Sequence, residues 1–436
     1  MCIRDRNNSL EIAGLRVLEA RAQLGIAQGQ LYPQSQLAAG SSTYTSAADN
    51  VGGSNFWQHG IGASASWEID FWGRFRRGIE SADAAYMASI AARDQAVILL
   101  TAQVVNTYAV MRINEEQLRI AHDNVKIQQR SFDIASVLYR NGSDWELDMQ
   151  QAHTLLLSTQ ATIPGFETAV AQARNALSTL LGQPPGGIDD LLTGDQKIPM
   201  MPAEIDVGIP ADLLRRRPDV RQAELNALAQ NALVGMAEAD LYPSFSLTGS
   251  LGLVSGGPGG TDFGDLFSSD ALTFSIGPSF VWPFLNYGRI RNNIRVQDAR
   301  LQQALVNYRE VVLQSAREAE DAMAALNGSQ AQAEILEKTV DSARRSNELS
   351  VLRYREGFSD YQRVLDSQQS LFSAQQRLVI QRGTSVQSLV SLYKSLGGGW
   401  ENSADQPLAS ERSLDEMRQR TNWGDLLEGD IPDSNN

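Results

Sequence analysis

Apolar and polar residues alternate strictly in ASASWEID, residues 63–70, where Ala63, Ala65, Trp67 and Ile69 are set against Ser64, Ser66, Glu68 and Asp70. The same period of two runs through SFSLTGSLGL (244–253) and TFSIGPSFVWPF (273–284), placing Phe245, Leu247, Leu251 and Leu253, then Phe274, Ile276, Phe280, Trp282 and Phe284, on one side. Such alternation predicts strands with one apolar and one polar face. A further strand, about 35–45, is much weaker. After Gly288 the steps change to alternating fours and threes: Leu301, Leu305, Tyr308, Val312, Ser315, Ala319, Ala322, Leu326, Ser329, Ala333, Leu336, Val340, Ala343. An earlier seam runs from Tyr86 and Ile90 through Val97, Leu100 and Val104 to Phe132 and Ala135, with Arg93, Asn114 and Gln128 as exceptions. A sustained 3.5 repeat means coiled-coil packing. No proline interrupts residues 288–355, so this helix reaches roughly 100 Å at 1.5 Å per residue, too long to bury itself in a compact domain.

The two seams belong to two copies of one unit. YRNGSDWEL (139–147) and YREGFSDYQ (354–362) make the same turn 215 residues apart, and at that offset Gly73, Arg74 and Arg76 match Gly288, Arg289 and Arg291. Nearer the start the offset is 210, and Leu31-Tyr32-Pro33 matches Leu241-Tyr242-Pro243. The extra five residues of the second copy fall before Ile276, in the region of the GGPGG loop. Each unit reads as helix, two strands, a very long helix, a turn and a returning helix. Gly142 and Gly357 supply the positive φ at which a helix stops, and helices from about 146 and 361 run back antiparallel. The expected divisions are a non-native or truncated start (1–8), a first repeat (9–182), a linker (183–209), a second repeat (210–398) and an irregular or partly disordered tail (399–436).

Four strands cannot close a barrel, and an open edge in lipid leaves backbone groups unsatisfied. If the strands are membranous, chains must pool them: two give eight strands, three give twelve, and only the larger ring leaves a water-filled bore. Aromatic residues near the strand ends suit a bilayer interface, although a small soluble sheet has the same alternation. No uninterrupted run of 18 apolar residues occurs; Gln103 and Asn106 break AVILLTAQVVNTYAVM, which argues against a membrane-spanning helix. The net charge of −14 across 436 residues argues against a nucleic-acid surface and suits an acidic lumen. Cys2 is the one cysteine, so internal disulfides are excluded. MCIRDR has no signal-peptide h-region, which is read as a missing native start rather than as a lipid-anchor site at Cys2.

No catalytic set emerges: there is no G-x-x-x-x-G-K, no H-E-x-x-H and no Cys/His cluster. His59, His122 and His153 lack metal-ligand spacing and read as a solvated face, so no metal and no cofactor is expected. Arg215, Arg216 and Arg217 read as a structural helix-capping group rather than a phosphate site. Three classes compete: a passive channel, a soluble structural coiled coil, and an enzyme with an undetected site.

IPADLLRRRPDVRQAE (209–224), GMAEADLYPSFSLTGSLG (235–252) and YREGFSDYQRVLDSQQSLFSAQQ (354–376) resemble the outer-membrane factors, the TolC-like efflux proteins, and within them the OprM/NodT-type branch serving resistance-nodulation-division pumps. Arg217, Pro218, Asp219, Tyr242 and Pro243 carry the family's RPD and aromatic-Pro signatures. The resemblance implies a mixed α/β homotrimer: a twelve-stranded outer-membrane β-barrel, four strands per chain, continuing into a twelve-helix antiparallel coiled-coil periplasmic tunnel. It implies outer-membrane lipid around the barrel, a periplasmic adaptor at the tips Gly142, Ser143, Asp144, Gly357, Phe358 and Ser359, and an inner-membrane pump behind. Asp366 falls on the family's acidic-ring position, and Asp148 and Tyr354 on lock positions. Ser359 stands where some members have Arg, and Gln362 and Gln369 replace a hydrophobic gate residue and a later Arg, which implies looser closure. A type I secretion outlet is the alternative within the channel class.

Overall fold

The computed structural model describes residues 7–45, 56–192, 197–199, 216–256, 263–399 and 407–427. Cys2, the GGPGG loop beyond Gly256, and Arg215 with the segment before it lie outside them. In order, the elements are α1 (Asn8–Gly29), β1 (Ser35–Thr45), β2 (Phe56–Ile69), α2 (Arg74–Arg140), α3 (Glu146–Gln160), α4 (Ile163–Leu180), α5 (Pro218–Ala239), β3 (Ser244–Gly256), β4 (Leu272–Val281), α6 (Arg289–Arg355), α7 (Tyr361–Ser395) and α8 (Glu411–Arg420).

The repeat holds at the level of element ends. Helices α2 and α6 both have 67 residues and begin and end 215 positions apart, and α1 and α5 both have 22 residues at an offset of 210. The helix ends share their chemistry. Gly142 (φ 69°) donates to the Tyr139 carbonyl and Ser143 to that of Leu138; Gly357 (φ 76°) and Phe358 repeat the pair with Tyr354 and Arg353. These paired bonds satisfy carbonyls that the helix leaves open, and only glycine takes the left-handed turn without a side-chain clash.

The returning helices differ. One continuous helix was expected in each copy; α7 is continuous, whereas the first copy breaks at Ala161-Thr162 into α3 and α4. Pro164 lacks an N–H, and its ring would clash with the Gln160 carbonyl of an unbroken helix. Its counterpart in α7 is the buried Val379.

Strands β1 to β4 form one antiparallel sheet in chain order, with β1 and β4 at its edges. The register collects Ile61, Trp67, Ile69, Phe245, Leu247, Leu251, Leu253, Phe274, Ile276 and Phe280 on one face. Ser64, Ser66, Glu68, Ser246, Thr248, Ser250, Ser275 and Ser279 take the other. Strand β1 gives the apolar face only Ala38 and Tyr44 and turns Leu37 to the polar face, which is why its pattern is weak. β4 stops at Val281, so Trp282 and Phe284, expected on its face, lie beyond the strand; Pro283 has no N–H to extend the ladder.

The chain divides into two compact units, each drawn from both repeats. One comprises residues 1–15, 91–221 and 311–422, and the other residues 16–90, 222–310 and 423–436. In the first, the α6 seam is buried at Ser315, Ala319, Ala322, Leu326, Ser329 and Val340, packed in part on Leu378 and Leu392 of α7. A stretch of α2 is apolar enough by composition to cross a membrane, which the uninterrupted-run criterion did not register. Its Val97, Ile98, Leu100, Ala109 and Met111 are buried within the unit. The tail is more ordered than expected. Ser410 caps α8, and Glu11 of α1 accepts hydrogen bonds from the Ser410 and Ser413 hydroxyls, each at 2.6 Å. Those bonds, Ser410 first, hold the Glu11 carboxyl below its usual range.

Candidate functional site: the hairpin tips and the sheet face

In the helical unit, the two tips meet in a cluster of Ala135, Ala152, Tyr354, Tyr361 and Val364. Tyr354 is buried and its hydroxyl donates to Asp144 at 2.5 Å, while Tyr361 stands edge-on to it at 5.2 Å. Tyr354 and Asp148 were expected on lock positions with no partner assigned to either; the acceptor of the Tyr354 hydroxyl is Asp144, which had been assigned to the adaptor-facing tip. Asp148 instead shares a hydrogen bond with Asp144 and lies near the charge of Asp360. Burial, then the Asp144 hydrogen bond and charge, push the Asp148 carboxyl up to about 6. Burial alone would raise Asp144 too, but the bonds from Tyr354, the Trp145 amide and Asp148 outweigh it and hold it below its ordinary value. Below about pH 6 one carboxylate, Asp144, and one carboxylic acid, Asp148, therefore sit together at this tip, and near neutrality Asp148 is mostly ionised as well. Burial, then the bond to Asp144, raise the Tyr354 phenol well above its usual range.

Gly142, Ser143, Gly357 and Phe358 are exposed, and Ser359 is half-exposed. Trp145 and Leu147 join Phe358 as bare apolar side chains there. Neither was anticipated, because the repeat pairs Trp145 with Asp360. Gln362, Asp366 and Gln369 follow one exposed stripe of α7, and Gln362 donates to Asp366 at 2.9 Å. The stripe and the Tyr354 cluster lie on different sides of the helix.

Arg217 is buried; it bonds both oxygens of Asp219 (3.0 and 2.6 Å), Glu318 (2.9 Å) and the Ser395 carbonyl at the end of α7 (2.9 Å). Pro218 opens α5, with Asp219 in its first turn. Asn7, the counterpart of Arg217 at the 210 offset, donates to the Leu180 carbonyl at the end of α4 (2.8 Å) and caps α1 through Ser9 and Leu10. That equivalence escaped the sequence reading because Asn and Arg share no motif.

In the sheet unit, the Leu-Tyr-Pro segments anchor the strand bases. The indole of Trp67 donates to the Leu31 carbonyl (2.9 Å), and that of Trp282 to Leu241 (3.1 Å). Trp72 stacks on Tyr242 at 4.4 Å and donates to Pro243. Two aromatic groups mark the ends of the apolar face: Phe71, Trp72, Tyr242, Phe245 and Phe280 at the base, and Tyr44, Trp57, His59 and Phe263 at the far end. Ten residues of β2 separate Trp57 from Trp67, about 33 Å of strand. At the tilt of a barrel strand that spans about 25 Å, the height of an outer-membrane apolar band. His59 lies in this aromatic group and His153 stacks on Phe132 at 4.9 Å, so neither is on a solvated face; His122 is.

The profile of the family described as outer membrane efflux protein matches residues 3–183 and 209–398. The chain belongs to the outer membrane efflux protein family. This efflux protein is 30% identical over 396 residues to the cation efflux system protein CusC of Escherichia coli O6:H1, covering 91% of this chain and 84% of that one. It is 30% identical over 400 residues to the toluene efflux pump outer membrane protein TtgI of Pseudomonas putida, covering 91% and 83%. The solved outer-membrane channel OprN superposes with a TM-score of 0.84 at 31% identity, over 91% of this chain and 88% of that one. The chain is the outer-membrane channel component of an efflux pump of a Gram-negative cell, and its fold is that of the family's channels.

Proposed function

We propose that three copies of this efflux protein form a passive exit duct, in which twelve strands close a barrel and the paired helices continue it as a periplasmic tunnel. The observation that carries this reading is the sheet: an apolar face between two aromatic belts, and ladder edges at β1 and β4 that cannot remain open in lipid. An adaptor docks on the tips at Gly142, Ser143, Gly357, Phe358 and Ser359, with the exposed Trp145 beside them. An inner-membrane pump of the resistance-nodulation-division class supplies the energy, and this chain performs no covalent chemistry. CusC and TtgI are named for different cargoes, which supports a duct whose pump selects the small molecules or drugs it passes. In the trimer the Gln362, Asp366 and Gln369 stripes face the lumen, where Asp366 from each copy forms the acidic ring and favours cations.

The mass of the detergent-extracted protein, corrected for bound detergent, tests the assembly: three times the 47.7 kDa chain is expected, and a monomer contradicts it. In the inserted trimer, Asp366→Asn lowers the cation-over-anion permeability ratio. An unchanged ratio removes the carboxylate ring from the mechanism.

A further inference from the structure

The two repeats share an arginine at the foot of the sheet but not the acids that answer it. Gly73-Arg74 and Gly288-Arg289 match at the 215 offset, and each arginine opens a 67-residue helix. Arg74 is held between two carboxylates: its Nη1 lies 3.5 Å from Glu68 of β2, and its Nε 3.4 Å from Asp240 just past α5. Asp70 is committed as well, accepting from the Phe75 and Arg76 amides at 3.1 and 3.0 Å and from the Arg76 guanidinium at 3.1 Å. The counterparts of these acids carry no charge. Glu68 corresponds to Pro283 and Asp70 to Leu285, and at the 210 offset Asp240 corresponds to Gln30. Arg289 is exposed, and among the described residues it makes no ion pair. Both arginines border one recess. Within the sheet unit a cavity of about 580 Å³ is walled by Glu68, Asp70, Arg74, Asp240, Arg289 and Asn293, together with the strand ends. It opens on the polar face: Glu68 belongs to that face, and so, by the strand alternation, do Ser244 and Val281 of the same wall. The acids of the recess already face guanidinium groups or helix amides, whereas the five N–H donors of Arg289 meet no carboxylate. Asn293, one turn on and on the same side of α6, adds an amide donor.

We infer that Arg289 makes this recess an anion-accepting station in the wall of the duct, where its guanidinium takes the carboxylate, phosphate or sulfonate group of an organic cargo in transit. This rests on the reading of the protein as a duct whose bore is lined by the polar sheet face. Each copy then contributes one uncompensated guanidinium at the foot of the barrel, beside one that Glu68 and Asp240 neutralise. The planar fork of arginine engages two oxygens at once, so it holds a carboxylate or phosphate in a way that a chloride ion cannot match. Fixed positive charge at that level also lowers the barrier that an acidic bore sets against an anionic or zwitterionic cargo. Arg289 therefore acts against the cation preference that Asp366 confers, and the two residues set the selectivity of the duct in opposite directions.

Single-channel recording in a planar bilayer under a KCl gradient tests the charge, and citrate added to the bath tests the site. Arg289→Gln is expected to raise the cation-over-anion permeability ratio. Asp240→Asn is expected to lower it, because that change leaves Arg74 less compensated. Arg291→Gln removes the same charge two residues away, outside the recess wall, and is expected to match wild type. Citrate is expected to reduce the current through wild type and Arg291→Gln and to leave that through Arg289→Gln unreduced. If citrate reduces all three currents equally, or if the ratio in Arg289→Gln is no higher than in Arg291→Gln, the station is overturned while the duct stands. Inserted protein that passes no current in any of these forms overturns the duct and the station together.

Discussion

Tyr354 holds the two tips together through one hydroxyl, and the bond ends on a carboxylate, Asp144, that is already committed to a second carboxyl. A hydrogen bond to a charged group contributes about 1.5–3 kcal/mol, with the lower end suited to a site that water reaches. Tyr354→Phe is therefore expected to raise the open fraction of the tip about tenfold, ~1.4 kcal/mol, read as faster hydrogen exchange at residues 140–148. Exchange at the wild-type rate removes the bond from the closed state. The Asp148 carboxyl is raised to about 6, above its ordinary value of 3.8. The closed tip binds that proton more tightly than the open one, so its stability falls as pH rises through about 4 to 6. Tip protection, the exchange rate divided into the intrinsic rate at the same pH, is expected to be greater at pH 5 than at pH 7.5, and Asp148→Asn, which keeps a donor, flattens that difference. The tip motif singled out Tyr354, Asp148 and Asp366 in the sequence. It did not give Asp144 as the partner of Tyr354, because that depends on where the turn after Gly142 points a side chain, and no spacing encodes it.

The elements were more legible than the residues. A 3.5-residue seam and a left-handed glycine define α2 and α6 and their ends without reference to the rest of the chain, and strict alternation defines three of the four strands. β1 was faint because Leu37 breaks its pattern and its apolar face is mostly Gly40, Ala38 and Ser42. The break between α3 and α4 was written at Pro164 but overlooked beside its continuous partner. The two sites make opposite predictions. Val379→Pro in the middle of α7 removes a helix bond and a buried side chain and is expected to cost at least about 3 kcal/mol, seen as a marked fall in melting temperature. Pro164→Val is expected to leave the melting temperature within a few degrees of wild type. Equal effects would show that the two returning helices carry load in the same way. Helix α8 went unseen because its anchor, Glu11 on Ser410 and Ser413, joins residues about 400 apart in the chain.

At the scale of the molecule, the proposed trimer closes the open edges of the sheet and turns its apolar face to lipid, and the opposite face, lined mostly by hydroxyls, suits a water-filled bore. Single-channel recording of the purified trimer in a planar bilayer, wild type beside Tyr354→Phe, tests this most directly. Discrete cation-selective openings, more frequent in Tyr354→Phe than in wild type, are expected. Inserted trimers of both forms that pass no current would contradict a duct closed at its tip.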